Sequence, residues 1–390
     1  MTDNKTRIVV IGGGYAGVMA ANRLAGAGHD VTMINPRPEF VERIRLHQRI
    51  TGSDDAVVGY DEVLSSDVRL VVDTAEHIDA AARLVTLGAG GTLGYDYLIY
   101  AVGSTGTTLG VPGADRFAHR IAELEHADPL LAALDAAPVD APLVVVGSGA
   151  TGLEVASELA EHGRRVTLVC GGVFGPTLAG GGRASAAKRL RKLGVTIVEG
   201  PDARVTEVRA DAVRLADGRE LASAVTVWTV GFGVPDLARR SGLATDELGR
   251  LLTDETLTSV DNPYVLAAGD AAAPSGTPLR MSCQAALPLG AQAANTVLSR
   301  IAGTEPAVIN QAFTGQCISL GRTGATIQLS HLDDRVMNAH VSGRVAASIK
   351  EAVCKATVSF LGKEARKPGS YFFLKGGKRA QKLAQQRASV

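Results

Sequence analysis

The chain has 390 residues, 46% of them hydrophobic and 21% charged, and its formal net charge is zero. This length and composition predict two or three globular domains, each able to bury its own core. Aromatic residues make up only 4% of the chain. Such a low share argues against a stacking surface for single-stranded nucleic acid, so we expect no nucleic-acid partner.

The cysteines are spaced too widely for the common cysteine motifs. The closest pair, Cys283 and Cys317, is 34 residues apart, and no pair has C-x-x-C or zinc-ligand spacing. We therefore expect neither a redox-active dithiol nor a metal site, as is typical of a reducing cytoplasm. The first motif begins at Arg7, which leaves no room for a signal peptide, and no apolar run approaches about 18 residues. The expected location is cytoplasmic.

Residues 7–35 contain the pattern of a strand, a glycine turn, a helix and a second strand. RIVVIGGGYAG is an apolar, β-branched run that breaks into glycines, VMAANRLAGAG continues with helical spacing, and DVTMIN is a second apolar run. This order is the opening unit of a doubly wound α/β fold. Short strands with Gly-rich hairpins follow, as far as YDYLIYAVGS at 95–104.

A second copy of this pattern begins at residue 141. APLVVVGSGATG, LEVASELAEHG and RRVTLVC repeat the strand, glycine turn, helix and strand, and further short strands end in VTVWTVG at 225–231. Residues 143–235 thus loosely repeat residues 1–110, and internal duplication is the economical explanation.

The rest of the chain predicts a return to the first unit and then a smaller region. PYVLAAGDAA at 263–272 is a buried type of strand that ends in Gly-Asp, and QAALPLGAQAANTVLSRIAG is a helix with a kink near Pro288. We predict an α/β fold with two Rossmann-like domains and a smaller C-terminal α+β region. The predicted boundaries are 1–118 and 256–305 for the first, discontinuous domain, 119–255 for the second, and 306–390 for the C-terminal region.

Both glycine turns have the spacing G-x-G-x-x-G between a strand and a helix. The first glycine permits a tight turn, the second lets a pyrophosphate approach the backbone, and the third allows close packing of strand and helix. The helix N-terminus then directs free N–H groups at the anion. Two such loops predict two bound dinucleotides. The glycines are Gly12, Gly14 and Gly17 in the first loop and Gly147, Gly149 and Gly152 in the second.

These motifs, in this order, resemble the FAD-dependent pyridine nucleotide-disulfide oxidoreductases that lack the redox disulfide, and within them the type II NADH dehydrogenases. The resemblance covers roughly residues 7–300. YDYLIYAVGS resembles the strand that leads to Ala-Thr-Gly-Ser, with Val102 in place of Thr, and VTVWTVG resembles its counterpart in the second domain. YVLAAGDAA resembles the Gly-Asp motif that contacts the flavin ribityl chain, and INPRPEFVERIRLHQRITG resembles the segment after the second strand.

The resemblance implies that the first loop holds FAD and the second holds NADH or NADPH as co-substrate. It also implies which further residues contact each group. For FAD these are Gly12, Gly14, Tyr15, Ala16, Gly17, Asn35, Pro36, Arg37, Ala75, Gly103, Gly269, Asp270, Ser282 and Cys283. For the nicotinamide nucleotide they are Gly147, Gly149, Ala150, Thr151, Gly152 and Gly231.

Two positions leave the choice between NADH and NADPH open. The second strand of such a unit commonly ends in an acid that binds ribose hydroxyls, but here the ends are Asn35 and Cys170. Asn35 can still bind a hydroxyl. The absence of an acid at Cys170 removes repulsion against a 2′-phosphate, and Arg183 offers a cation. The alternative is that Cys170 is simply a small buried residue.

Glu154 and Gln284 are the candidate catalytic residues. Glu154 matches a carboxylate that lies near the nicotinamide in the family, and the alternative is a solvated helix-face residue like Glu158 or Glu161. Gln284 matches part of a quinone-lining A-Q motif, although Pro288 and Leu289 replace the glutamines expected after it. The alternative for Gln284 is a helix residue satisfied by its neighbours. We interpret His47 as structural, because hydride transfer to flavin needs no protein base.

A quinone is the expected acceptor. The alternative acceptors are a ferredoxin-type protein, dioxygen or a small organic substrate. Another alternative is that the protein is a redox-sensing flavoprotein of negligible turnover.

The tail, residues 363–390, contains Tyr371, Phe372, Phe373 and Leu374 among cations, which favours peripheral contact with an anionic membrane. The alternative is an aromatic patch packed on the body of the protein. The sequence leaves open whether the chain forms a homodimer. The tail carries eight cations against one acid, Glu364: Lys363, Arg366, Lys367, Lys375, Lys378, Arg379, Lys382 and Arg387.

Overall fold

The computed structural model describes residues 5–388, with side chains as far as Gln385. Of the predicted tail, residues 389–390 lie outside the described residues and Arg387 lies beyond the last described side chain. The first part of the chain contains ten strands and four helices, besides a 3-10 helix at Arg43–Arg45. They are β1 (Arg7–Ile11), α1 (Tyr15–Gly26), β2 (Asp30–Asn35), β3 (Glu39–Val41), α2 (Leu46–Arg49), β4 (Val57–Gly59), α3 (Tyr60–Val63), β5 (Val68–Val72), β6 (Ala75–Asp79), β7 (Leu84–Leu87), β8 (Thr92–Gly94), β9 (Tyr97–Tyr100), β10 (Thr105–Gly106) and α4 (Ala114–Phe117).

The middle of the chain repeats the alternation of strands and helices. Its elements are β11 (Ala118–Arg120), α5 (Leu124–Ala136), β12 (Pro142–Val146), α6 (Ala150–Glu161), β13 (Arg165–Val169), α7 (Gly180–Lys192), β14 (Thr196–Val198), β15 (Val205–Val208), β16 (Ala212–Leu215), β17 (Glu220–Ala222), β18 (Val225–Trp228), β19 (Phe232–Gly233), α8 (Leu237–Arg240) and β20 (Leu251–Thr253).

The last part of the chain is dominated by two long helices. Its elements are β21 (Val265–Ala267), a 3-10 helix at Gly269–Ala271, β22 (Ala272–Pro274), α9 (Cys283–Ile301), β23 (Gly315–Ser319), β24 (Ala325–Ser330), β25 (Val336–Ser342), α10 (Gly343–Arg366) and α11 (Arg379–Ala388).

Two parallel five-stranded sheets carry the fold, and their strand orders correspond. The first sheet has the order β21-β9-β1-β2-β5 and the second has β11-β18-β12-β13-β14. In each, the strand before the glycine loop is central, with the next strand along the chain on one side. Each sheet is accompanied by a three-stranded antiparallel sheet, β6-β7-β8 or β15-β16-β17. The predicted α/β class with two Rossmann-like units is confirmed, and the matching order supports internal duplication.

The chain returns to the first core earlier than the second predicted segment begins. Val234, Leu237 and Leu251 are buried in the same cluster as the strands of the first sheet, and β20 pairs with β22. This packing favours a start of the returning segment near residue 234 rather than 256. The division into domains stays a prediction.

The C-terminal region forms an antiparallel sheet, β23-β24-β25, followed by the 24-residue helix α10. The buried face of α10 lies against the first core and the sheet of this region. Because α10 crosses from one Rossmann-like unit toward the other, it brings C-terminal side chains to both. The residues of its buried face recur at helical spacing: Ala346, Cys354, Thr357, Leu361 and Glu364.

Candidate functional site

The first glycine loop has the geometry of an anion cradle. Gly12 has a φ of +105°, which favours glycine, and a Cβ on Gly17 would collide with the carbonyl oxygen of Gly12. A Cβ on Gly14, in contrast, would meet no heavy atom within 4 Å. Gly14 is also the N-cap of α1 and supplies no side-chain cap. The loop therefore presents free backbone N–H groups to open space, as binding of a pyrophosphate requires.

The second glycine loop repeats this geometry. Gly147 has a φ of +107°, and a Cβ on Gly152 would collide with its carbonyl oxygen. A Cβ on Gly149 would meet nothing within 4 Å, and Gly149 caps α6 without a side chain. The predicted Ala150 and Thr151 are the first residues of α6, so their backbone lies at the free helix end. The two loops thus offer the same anion site on two sheets.

A cavity of about 430 Å³ extends from the first glycine loop across the carboxyl edge of the first sheet. Residues from nine separate stretches of the chain line it, among them the Gly-Asp turn and the end of β2. Three predicted FAD residues are not among those that line the cavity. Gly17 packs against Gly12 of the loop, and Ser282 and Cys283 lie beside the lining residue Ala286. The predicted FAD residues that line it are Gly12, Gly14, Tyr15, Ala16, Asn35, Pro36, Arg37, Ala75, Gly103, Gly269 and Asp270.

Asn35 braces the first glycine loop from the end of β2. Its side-chain Oδ1 accepts a hydrogen bond from the Gly13 N–H at 3.0 Å, and its Nδ2 donates to the Arg37 carbonyl at 2.8 Å. The Tyr60 hydroxyl donates to the Gly13 carbonyl at 2.9 Å. Both sides of the Gly13 peptide are therefore held, and the loop is fixed before any anion arrives.

Asp270 stands in the 3-10 helix at Gly269–Ala271, with its carboxylate at the cavity. Ser104 Oγ donates to Asp270 Oδ2 at 2.7 Å, and Arg43 Nη1 donates to the same hydroxyl at 3.2 Å. A carboxylate has about four lone-pair directions, so Asp270 retains capacity for a ligand hydroxyl. Sequence reasoning missed Ser104, Arg43 and Tyr60, although Ser104 directly follows the predicted Gly103.

The start of α9 is tied internally. Ser282 is its N-cap and accepts from the Ala285 N–H at 3.2 Å. Gln284 accepts from Arg280 Nη2 at 3.2 Å and donates to Thr314 Oγ1 at 2.9 Å, so its amide is satisfied by neighbours, as the structural alternative holds. Pro288 and Leu289, which replace the expected glutamines, are buried. The apolar residues at these two positions of α9 therefore lie in the protein interior.

Glu154 is buried between three elements and is strongly paired. Lys350 Nζ of α10 lies 3.1 Å from Glu154 Oε1, His47 Nδ1 of α2 lies 3.8 Å from Oε2, and the Ser319 N–H donates to Oε1 at 3.0 Å. The suggestion of a solvated helix-face carboxylate is wrong, since Glu154 is 8% exposed and even Glu158 is fully buried.

These contacts set the charges of the cluster. Burial raises the pKa of Glu154, but Lys350, His47 and the Ser319 N–H outweigh it and hold that pKa below its usual range. Burial lowers the pKa of the Lys350 ammonium, yet the Glu154 carboxylate and nearby thiols raise it above its usual range. Burial lowers the pKa of His47 to about 4. At neutral pH the cluster is an ammonium–carboxylate pair beside a neutral imidazole.

Lys350 was missed by sequence reasoning, although a signal for it existed. It occupies the same face of α10 as the buried Ala346 and Cys354, four residues away on either side. A lysine at a buried position of a helix needs a partner. The sequence could have flagged that need, but it could not have named Glu154 as the partner.

The loop after β13 lies beyond the second glycine loop. Ser148 Oγ donates to the Val173 carbonyl at 3.2 Å, which joins the two loops. Arg183, the predicted phosphate partner, donates instead to the carbonyls of Gly175 and Leu178 at 3.4 and 3.0 Å. Gly231 follows β18 with a φ of +84° and adjoins Thr107. Gly231 therefore adjoins the β10–β19 pair, which joins the segments that follow the two sheets.

Among residues 5–388, no group of three or more His, Cys, Asp or Glu side chains could hold a metal ion. Within the same residues, no helix combines the length and the apolar character that a bilayer span requires.

Residues 6–290 match the family of pyridine nucleotide-disulphide oxidoreductases, and the chain belongs to this family. It is a flavin- and pyridine-nucleotide-dependent oxidoreductase of the type that includes the type II NADH dehydrogenases, with FAD and a nicotinamide nucleotide as the cofactors. Two glycine loops on two Rossmann-like sheets are what such an enzyme requires.

Individual relatives agree with this assignment. The chain is 31% identical over 350 residues to an NADH dehydrogenase-like protein of Mycobacterium tuberculosis, covering 82% of this chain and 87% of the relative. It is 29% identical to the type II NADH:quinone oxidoreductase Ndh of the same organism, covering 77% and 74%. Its fold is similar to sulfide:quinone oxidoreductase of Aquifex aeolicus, with a TM-score of 0.79, 18% identity and coverage of 99% and 96%. The fold is also similar to that of NDH2 of Plasmodium falciparum in complex with NADH. The TM-score is 0.76, the identity is 14%, and the match covers 95% of this chain and 100% of the other.

Proposed function

We propose that the chain binds FAD at the first glycine loop, oxidises NADH or NADPH bound at the second, and passes the electrons to a quinone. The observation that carries this proposal is the repeated loop geometry, in which Gly14 and Gly149 are both open to an approaching pyrophosphate. Only the first loop borders the 430 Å³ cavity. The first loop therefore suits a resident cofactor, which requires an enclosed site.

The residues of the cavity fit FAD. The open space at Gly14 fits its pyrophosphate, and the Asp270 carboxylate fits a chain of hydroxyls, to which it is an acceptor only. Asn35 holds the loop and leaves the end of β2 without a charge. When bound, FAD supplies the two-electron chemistry that links a nicotinamide donor to an acceptor. The chain itself orients the two ligands and excludes water from between them.

The Glu154–Lys350 pair is the proposed polar end of the acceptor side. Lys350 lies on α10, and its charge acts on the Cys283 thiol at the start of α9, whose pKa burial raises and Lys350 lowers. This places the ammonium near the helix that borders the FAD cavity through Ala286. A quinone takes up protons when it is reduced, and Lys350 Nζ can hold a proton and donate a hydrogen bond to its oxygen. Relatives named NADH:quinone oxidoreductases support the same acceptor.

Membrane contact is proposed for the outer face of α10 and the adjoining tail. Val345, Ile349 and Val353 are exposed at intervals of four residues, and Phe372 is 88% exposed. Exposed cations occur on the same helix and on the adjoining tail, which suits an anionic bilayer at roughly 1 kcal/mol for each near-surface charge. Tyr371 packs on the first core instead. The exposed cations are Lys355, Lys363, Arg366, Lys367, Lys375, Lys378 and Lys382.

Steady-state assays test the acceptor. The purified yellow protein is supplied with NADH or NADPH and, in turn, menadione, ferricyanide or dioxygen alone. We expect kcat/KM for menadione to exceed kcat/KM for dioxygen at least tenfold. Menadione rates equal to the dioxygen background would contradict a quinone acceptor. A colourless protein that takes up no added FAD would contradict the whole proposal.

Vesicle sedimentation tests the membrane contact. We expect the protein to sediment with vesicles rich in phosphatidylserine at low salt and to be released by high salt, because the attraction is screened. Phe372→Ser together with Val353→Ser weakens this binding, whereas Val139→Ser, at an exposed position on the second unit, leaves it unchanged. Equal binding to neutral vesicles, or no effect of the double substitution, would contradict the proposed surface.

A further inference from the structure

The second nucleotide site lacks an acid at the position where such sites usually carry one. That position, at the end of β13, is Cys170, whose pKa burial raises to about 11. A neutral thiol is only a weak hydrogen-bond acceptor. It neither holds a ribose hydroxyl as a carboxylate does nor repels a phosphate.

An acid does reach the same place from the neighbouring strand. Glu199 directly follows β14, and the Cys170 N–H donates to the Val198 carbonyl at 2.8 Å. Adjacent strands lie about 4.8 Å apart, so Glu199 begins one strand away from the usual acid. Its side chain turns back over the loop after β13, where its Oε2 accepts from the Phe174 N–H at 3.3 Å.

This carboxylate is available to a ligand. Glu199 is exposed, and one bond from Phe174 leaves most of its lone-pair directions open. The loop it contacts is joined to the pyrophosphate loop through Ser148 and Val173. Val173 is itself 56% exposed and offers an apolar contact for an adenine ring. A ribose attached to the pyrophosphate at Gly149 therefore lies between the glycine loop and Glu199.

Two cations could oppose this carboxylate, and the structure distinguishes them. Arg183 is engaged by the carbonyls of its own loop. Arg204 is exposed, and it follows Ala203, whose carbonyl accepts from the Gly171 N–H at 3.1 Å. Its backbone is near the loop, but in the described structure only Glu199 has a side-chain bond to the Gly171–Phe174 segment besides that of Ser148.

We propose that Glu199 takes the place of the missing acid and makes the site selective for NADH over NADPH. It accepts a hydrogen bond from the adenosine ribose and repels a 2′-phosphate, both from the strand next to the usual one. This inference rests on the proposed function, because it concerns the nucleotide that occupies the second glycine loop.

Anaerobic stopped-flow reduction of the flavin by NADH and by NADPH tests the proposal in four proteins. They are the native chain, Glu199→Gln, the control Asp202→Asn and Arg204→Gln. Asp202 is an exposed acid three residues further on, so its substitution makes the same change in net charge. We expect the native chain to be reduced far more efficiently by NADH. Glu199→Gln lowers the NADH-to-NADPH efficiency ratio by about tenfold or more, and Asp202→Asn changes it less than about twofold.

Two results would overturn the proposal. One is a ratio in Glu199→Gln that equals the ratio in Asp202→Asn. The other is a native preference for NADPH that Arg204→Gln abolishes, since Arg204 would then recognise the phosphate. Calorimetric binding of NAD⁺ and NADP⁺ to the same proteins separates this inference from the proposed function. If the flavin were not reduced by either nucleotide but the binding ratio still responded to Glu199, only the proposed reaction would fail.

Discussion

Lys350 Nζ lies 3.1 Å from Glu154 Oε1, and this contact joins α10 to α6, the helix that opens the second nucleotide site. Both side chains are largely buried, with 13% and 11% of their side-chain surface exposed. Removal of one partner of such a pair leaves a buried charge without compensation. The pair is therefore a structural junction between two parts of the chain as well as the proposed polar end of the acceptor side.

Lys350→Met separates the two half-reactions. We expect flavin reduction by the nucleotide to persist while reoxidation by menadione slows by at least tenfold, because the proton-holding ammonium is lost. Stopped-flow measurement of each half-reaction checks this. Lys355→Met, at a 74% exposed lysine one turn further along α10, serves as the control and leaves both rates unchanged. Equal slowing of both half-reactions by Lys350→Met would indicate a purely structural role.

The buried His47 makes stability depend on pH. Its pKa is lowered from 6.5 to about 4 in the folded protein, so between these values the unfolded chain binds the proton more readily. The free energy of unfolding therefore rises as the pH increases from 4 to 6.5. As the pH falls from 6.5 to 4, it decreases by up to about 3 kcal/mol. His47→Gln removes this slope, as urea unfolding at a series of pH values would show. His77→Gln, at an exposed histidine, should keep the native slope; parallel curves for both variants would refute the assignment.

The local features of the nucleotide sites could be predicted because short segments determine them. A strand, a glycine turn and a helix are adjacent in sequence, so Gly12, Gly14 and their counterparts at Gly147 and Gly149 could be found from spacing alone. The geometry of both loops agrees with that spacing. Their assignment to FAD and to the nicotinamide nucleotide stays a prediction.

Features that depend on distant segments could not be predicted. Glu154 was singled out, but its burial depends on Lys350 and His47, which approach from α10 and α2. Arg183 was considered as the partner of a 2′-phosphate in the case of NADPH, yet it is engaged by carbonyls of its own loop. Glu199 was not predicted as a site residue, because the sequence does not show that the strand before it pairs beside β13.

Gly149→Val and Gly14→Val form a matched pair that assigns the two loops. Both glycines have negative φ values, −67° and −86°, so the backbone tolerates a side chain and the added bulk enters the open space. We expect Gly149→Val to slow flavin reduction by NADH at least tenfold while the protein stays yellow. Gly14→Val should lose FAD. The absorbance ratio at 450 and 280 nm, compared with that of the native chain, is the readout. Loss of the chromophore in Gly149→Val would exchange the assignments.

One buried carboxylate fastens the turn that follows α10 to the first unit. Glu364, fully buried, pairs with Arg23 Nε of α1 at 2.7 Å. It also accepts from the Gly369 N–H at 2.9 Å and the Tyr371 N–H at 2.7 Å, and Arg23 Nη2 donates to the Tyr371 carbonyl at 2.8 Å. The Arg23–Glu364 ion pair thus holds the turn after α10 against α1.

Glu364→Ala should release this turn and destabilise the protein. It leaves Arg23 buried without a counter-charge, and we expect the free energy of unfolding to fall by about 3–5 kcal/mol. Trypsin should also cleave the chain after Arg366 or Lys375 faster than in the native chain, because the turn is no longer held. Asp96→Asn breaks the exposed pair with Arg7 and should cost less than about 1 kcal/mol. If Glu364→Ala were no more destabilising than Asp96→Asn and left the cleavage rate unchanged, the tail would be held by the packing of Tyr371 rather than by the carboxylate.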